Sequence, residues 1–202
     1  MRIKTTTSRQ KPISKSGNQI GRCVNIIDLG TQHWEYQGKP ASGHKVRITW
    51  ELSKAVNGLD VAPNNKIGEL PVFDPSKGHQ PFVVSEEYTV STSPKSNLRP
   101  VLEGWLGRGL TKDEEKDFDL DSLLDKTCLV NIIHETSADG SITYANVSSV
   151  TPMMDGMECP PAMNPLILFD QDKDNAEAVF ATLHDFLKKK IEQSDEWKSK
   201  HS

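Results

Sequence analysis

Lys45-Val46-Arg47-Ile48-Thr49-Trp50-Glu51-Leu52 alternates without a break: Val46, Ile48, Trp50 and Leu52 fall on one side of an extended chain, and Lys45, Arg47, Thr49 and Glu51 on the other. A period of two is that of a strand with one face in a core and the other toward solvent or a ligand. By parity Trp50 belongs to the core face. Upstream, Arg22-Cys23-Val24-Asn25-Ile26-Ile27-Asp28-Leu29 reads as a second strand, and downstream Phe82 to Val90 as a third, each closed by Gly, Pro or Ser.

Past these strands the period changes. Leu98, Val101, Leu102, Trp105 and Leu106 recur at helical spacing, with Ser96 and Asn97 as candidate N-caps, Pro100 confined to the first turn, and Gly107 and Gly109 as the stop. Trp105 lies on the apolar side of this helix. Thr111 followed by Glu114 is a capping-box pattern and predicts a short second helix. Strand character resumes at Thr127 to His134, and Ala138-Asp139-Gly140 predicts a hairpin turn that returns Ser141 to Val150 as an antiparallel partner. The order predicts a mainly β fold: a five-stranded OB-fold barrel with a helical insertion between strands 3 and 4, followed by a C-terminal helix. The open face of such a barrel commonly holds single-stranded nucleic acid or oligosaccharide.

At 202 residues, 35% hydrophobic and 26% charged, the chain can bury one sizeable core. The organisation expected is a flexible basic arm at 1–18, the barrel at 19–152, and a tail at 153–202 made of a Met- and Pro-rich linker and an amphipathic helix over Glu177 to Lys198. No apolar run has membrane length and no charged-then-apolar leader opens at Met1, which predicts a soluble chain held in the host cytoplasm. The 3 cysteines and 6 histidines are scattered without CxxC or other ligand spacing, which speaks against a disulfide framework and a zinc site. Asp170, Asp172 and Asp174 lack the Gly and Glu of a calcium loop and read as acids leading into a helix. No metal and no cofactor is expected.

A net charge of -4 is no bar to binding nucleic acid, because a local basic stripe sets the field where the ligand lies. A strand would cross the second and third barrel strands, flanked by the loop joining strands 1 and 2 and the loop joining strands 4 and 5. The first of these, Gly30 to His44, carries Trp34, Tyr36 and Lys39, with Lys45 and Arg47 directly after it. Aromatics beside cations are what a stacked base and its phosphate require. Trp34 can equally fold back as a lid on the barrel. Lys95, Arg99 and Arg108 form a second basic group around the helix, either a phosphate site or a solvated face. Tyr144 alternates with Asn146 and Ser148 and points outward beside the second loop. Tyr88 shares parity with Phe82, Val84 and Val90 but also with Glu86, so both faces are open to it. The stretch from Met1 to Arg22, with Arg2, Lys4, Arg9, Lys11, Lys15 and Arg22 and no acid, either tracks phosphates or is a charged terminus.

The chain resembles phage-encoded single-stranded DNA-binding proteins of the replication-initiation type. The resemblance is carried by Val24 to Gln32, Lys45 to Leu52, Lys95-Ser96-Asn97-Leu98-Arg99, Leu102 to Arg108 and Tyr144-Ala145-Asn146-Val147, and in the tail by Asn164 to Asp170 and Ser194-Asp195-Glu196-Trp197. It implies an oligonucleotide-binding fold that holds single-stranded DNA during phage replication or recombination, with phage or host replication proteins as further partners. It transfers no binding residues. The chain ends Lys198-Ser199-Lys200-His201-Ser202 rather than in the acidic tip by which many bacterial single-strand binders recruit partners.

Catalytic signatures are missing: there is no GxxxxGK[ST], GxSxG or HExxH. The acids of Asp113 to Asp125 could supply carboxylates to a metal-dependent nuclease, or form a solvated helix face. A phage structural or protein-interaction module on the same barrel is the other alternative.

Overall fold

The computed structural model describes residues 13–55 and 80–202. The first twelve residues of the basic arm and the stretch 56–79 lie outside the described residues. The elements are β1 (Gly17–Tyr36), β2 (Lys39–Ala55), β3 (Pro81–Thr89), α1 (Leu98–Leu106), a 3-10 turn (Leu120–Leu123), β4 (Thr127–Thr136), β5 (Thr143–Thr151), β6 (Ile167–Phe169), α2 (Ala176–Thr182), α3 (Asp185–Glu192) and α4 (Asp195–Lys200). The fold is mainly β. One six-stranded sheet runs β3-β2-β1-β4-β5, antiparallel throughout, and β6 joins it as a parallel neighbour of β1. The sheet is not closed, since no hydrogen-bonded ladder joins β3 to β5.

Strand alternation builds the main core. Val46, Ile48, Trp50 and Leu52 of β2 meet Val84 and Tyr88 of β3, Cys128, Val130 and Ile132 of β4, and Leu98, Val101, Leu102 and Trp105 of α1. Trp50 and Trp105 pack with ring centroids 5.7 Å apart. Tyr88 is thereby settled on the core face and is not available to stack on a base.

β1 differs from its expected extent. It runs on through the segment read as a loop, because Thr31 to Tyr36 pair with Lys39 to His44 across a two-residue turn. Gln37 and Gly38 both take positive φ there, 51° and 72°, the geometry of the tight hairpin turn that matches strand twist. Alternation did not mark this extension because the hairpin projects beyond the core, so neither of its faces is uniformly apolar. Two bulges, between Cys23 and Asn25 and between Asp28 and Gly30, shift the register and let β1 bury residues on both faces. Cys23 and Ile26 enter the main core; Ile27 and Leu29 enter a second one, with Phe169, Leu183, Leu187, Ile191 and Trp197.

The tail supplies this second core. It lies along the sheet: the buried carboxylate of Glu51 accepts from the backbone N–H groups of Met163 and Asn164, both at 2.8 Å, and Arg22 Nε donates to the Pro160 carbonyl at 3.2 Å. Three short helices replace the single expected one. Leu183 takes an extended conformation and ends α2, and Ser194 Oγ accepts from the Trp197 N–H at 3.2 Å as the N-cap of α4, whose Trp197 ring lies 6.5 Å from that of Phe169 between centroids. The Thr111–Glu114 capping pair forms in both directions, at 2.8 and 3.3 Å, but closes turns rather than a helix. Among the described residues no helix is long and apolar enough to cross a membrane.

Candidate nucleic-acid interface

The β1–β2 hairpin has two unlike faces. Cross-strand register puts Trp34 opposite Ala41, Tyr36 opposite Lys39 and Gly30 opposite Lys45 on one of them, and Thr31 opposite His44 and His33 opposite Ser42 on the other. The second face is tied down. Glu196 of α4 accepts from the Thr31 N–H and hydroxyl, each at 2.6 Å, Asp195 meets His33 Nε2 at 2.9 Å, and Asp28 meets His44 Nε2 at 2.6 Å.

The first face is aromatic and basic. Tyr36 is 64% exposed and Trp34 38%, and the Trp34 ring lies across Gly43, which leaves room for it by having no side chain. Trp34 is therefore neither a lid on the core nor buried by the tail. Lys45 Nζ sits 4.3 Å from the Trp34 ring centroid and donates to Thr89 Oγ1 at 2.7 Å. Burial lowers the Lys45 pKa; Glu87 opposes that shift and the nearby Lys190 adds to it.

Arg47 extends this face along β2. Its guanidinium donates to Glu87 at 3.2 Å and lies 5.1 Å from the centroid of Phe186, a ring 48% exposed on α3. Lys190, one turn further along α3, reaches the same Glu87 carboxylate, and its carbonyl accepts from Gln32 Nε2 at 3.0 Å. Lys45, Arg47 and Lys190 thus share one acidic neighbour, Glu87. Exposed Lys39 adds a cation at the hairpin tip. Phe186 and Lys190 were not legible as site residues: both fall inside the single amphipathic helix expected over Glu177 to Lys198, whereas the chain breaks at Leu183 and starts α3 separately.

The remaining candidates are not brought to this face. Arg99 is held by Glu103 at 2.9 Å, by Glu115 at 2.5 Å and by the Thr92 carbonyl at 3.0 Å. Arg108 and Glu114 form a two-pronged pair at 2.7 and 2.8 Å, and that pairing holds the Glu114 carboxyl down at about 2. Lys95 is exposed ahead of α1. Tyr144 does point outward, half-exposed on β5, but it sits opposite Glu135, and the way to it from β3 crosses a cleft lined by Glu86, Glu87 and Glu135. Among the described residues no three His, Cys, Asp or Glu side chains come together in an arrangement able to hold a metal ion. No family model and no curated protein matches this chain.

Proposed function

We propose that this chain binds single-stranded DNA without reading its sequence, in the replication or recombination of a phage. The observation that carries the reading is the hairpin face on which half-exposed Trp34 and exposed Tyr36 stand beside Lys39 and Lys45, continued by Arg47, Phe186 and Lys190. Rings of this exposure offer stacking surface to any base, and the cations beside them can meet the phosphates, which is how sequence-tolerant binders hold a strand. The strand order supports the finer reading of the sheet as a partly open OB-fold barrel, because β3 and β5 are the two ends of the path and face each other across a cleft, with Val147 of β5 hydrogen-bonding Glu86 of β3. The proposed face departs from the expected one: it leaves out Tyr88, Lys95, Arg99, Arg108 and Tyr144, takes in Phe186 and Lys190, and runs along the hairpin and α3, short of the acidic seam before Tyr144.

The test is a titration with fluorescent oligo-dT of about 30 nucleotides at rising salt, beside the matching duplex. Salt-sensitive binding to the single strand and weak binding to duplex supports the proposal; no binding at low salt overturns it.

A further inference from the structure

The seam between β3 and β5 has the opposite character to the hairpin face. Glu86 and Tyr88 line it from β3, Glu135 from β4 and Asn146 from β5, and none of its lining residues is Lys or Arg. A group of carboxylates alone says nothing about a ligand, since most are simply solvated. Tyr88 supplies the second observation: the residue is 5% exposed, it lines the cleft, and its hydroxyl has no hydrogen-bond partner. Buried hydroxyls are normally satisfied, so an orphaned one at the wall of an open cleft marks a place where something else completes the bonding.

The chemistry of that missing partner follows from the walls. Asn146 Nδ2 donates to Glu135 at 2.7 Å, which leaves the Asn146 side-chain oxygen as an acceptor. The cleft therefore presents the carboxylates of Glu86 and Glu135, a phenol oxygen and an amide oxygen, while its third carboxylate, Glu87, is taken up by Arg47 and Lys190. Burial, the largest influence on Glu86, raises its pKa, as befits a half-buried carboxylate with incomplete compensation. A phosphate or other anion would be repelled here. Val101, Ile133 and Val147 add apolar wall, suited to a methylene stem rather than to a bare ion.

We propose that the seam binds an alkyl-ammonium or alkyl-guanidinium cation, its head held by Glu86, Glu135 and the Tyr88 hydroxyl and its stem laid on Val101, Ile133 and Val147. The head has two natural sources, a lysine or arginine side chain of a polypeptide and a free polyamine, which share this chemistry. The site does not depend on the hairpin face binding DNA.

The experiment is a nuclear magnetic resonance titration of the full 15N-labelled chain with butylguanidinium, with spermidine and with the peptide acetyl-Ala-Arg-Ala-amide, using neutral butylurea as control. Saturable shifts confined to the amides around Glu86 to Tyr88 and Asn146 to Ser148, absent with butylurea and weakened at least fivefold by Glu86→Gln, are expected. Glu135→Gln alters an exposed side chain, so its predicted weakening is readable even if Glu86→Gln perturbs the fold. Tighter binding of the peptide than of spermidine assigns a polypeptide source, and the reverse order a polyamine. Shifts that never saturate, that spread over all surface carboxylates, or that both substitutions leave unchanged overturn the proposal.

Discussion

Lys45 holds its ammonium 4.3 Å from the ring centroid of Trp34 while hydrogen-bonded to Thr89, so a cation and a stacking surface are fixed side by side on the outer edge of the hairpin. The two should fail differently. Trp34→Ala removes stacking and is expected to weaken oligo-dT binding by about 1–3 kcal/mol at constant salt. Lys45→Ala removes a phosphate contact and is expected to flatten the slope of log K against log salt by about 0.7. Fluorescence separates them further: Trp50, Trp105 and Trp197 are buried, so Trp34→Phe should abolish most of the tryptophan quenching on binding while keeping a ring to stack. Quenching that survives Trp34→Phe would move the bound strand away from the hairpin.

Arg99 and Arg108 provide the complementary measurement. Each is already matched by carboxylates, Arg99 by Glu103 and Glu115 and Arg108 by Glu114, so neither has charge to offer a phosphate without first giving up a pair. Arg99→Ala and Arg108→Ala are expected to leave oligo-dT affinity within twofold of the parent and the salt slope unchanged, whereas Arg47→Ala lowers both, because Arg47 and Lys190 share the one carboxylate of Glu87 and together keep a net positive charge. A drop for Arg108→Ala as large as that for Arg47→Ala would bring α1 into the interface.

The division between what the residues announced and what they hid has a physical origin. Strand β2 alternates because one side faces the core, β3 to β5 show as runs of strand-forming residues, and Asp139-Gly140 lies in the turn from β4 to β5 as its composition predicts. Trp50 and Trp105 are core for the reason their parity and helical spacing gave. The extension of β1 to Tyr36 carries no such period, since pairing there is sustained by backbone bonds and a tight Gln37-Gly38 turn beyond the core. Ile167-Leu168-Phe169 is too short for any period to register, and its strand exists only because β1 offers a free edge. Of the site, the aromatic and basic residues of the hairpin could be named from composition; the coverage of Arg47 by Phe186 could not, because it depends on where three helices break.

Gly104 is where α1 meets the sheet. A Cβ placed on it would come within 2.5 Å of the Val150 carbonyl oxygen, a backbone atom that cannot swing aside. Gly104→Ala improves helix propensity by roughly 1 kcal/mol but forces α1 away from β5, and overpacking of this kind costs about 1–3 kcal/mol. The expected result is a net loss of stability in urea denaturation. A gain would mean that α1 and β5 separate easily.

The second core makes the tail part of the folded unit. Trp197 stacks on Phe180 at 4.1 Å between ring centroids and on His201 at 4.2 Å, above the buried Ile27 and Leu29 of β1. Trp197→Ala is expected to cost about 3–5 kcal/mol, the range for large aromatic truncations in a core. Because α3 carries Phe186 and Lys190 to Arg47, the same substitution should also lower oligo-dT affinity under conditions where the sheet stays folded by circular dichroism. Unchanged affinity with lowered stability would confine the binding face to the hairpin.

His44 makes the attachment of α4 depend on pH. Its imidazole bonds Asp28 at 2.6 Å and lies 3.5 Å from Glu196; the Asp28 hydrogen bond is the largest influence and raises its pKa above 6.5, against the opposing effect of burial, with the charges of Asp28, Glu196 and Asp172 adding to the rise. A histidine whose folded pKa is raised stabilises the native state when protonated. The contribution is therefore fully present below the unfolded pKa of 6.5 and fades as pH rises through the higher folded value. In thermal melts, the midpoint difference between the parent chain and His44→Gln should be largest near pH 6 and shrink toward pH 8.5. Equal differences at both pH values would mean that His44 acts through a neutral hydrogen bond to Asp28 rather than through its charge.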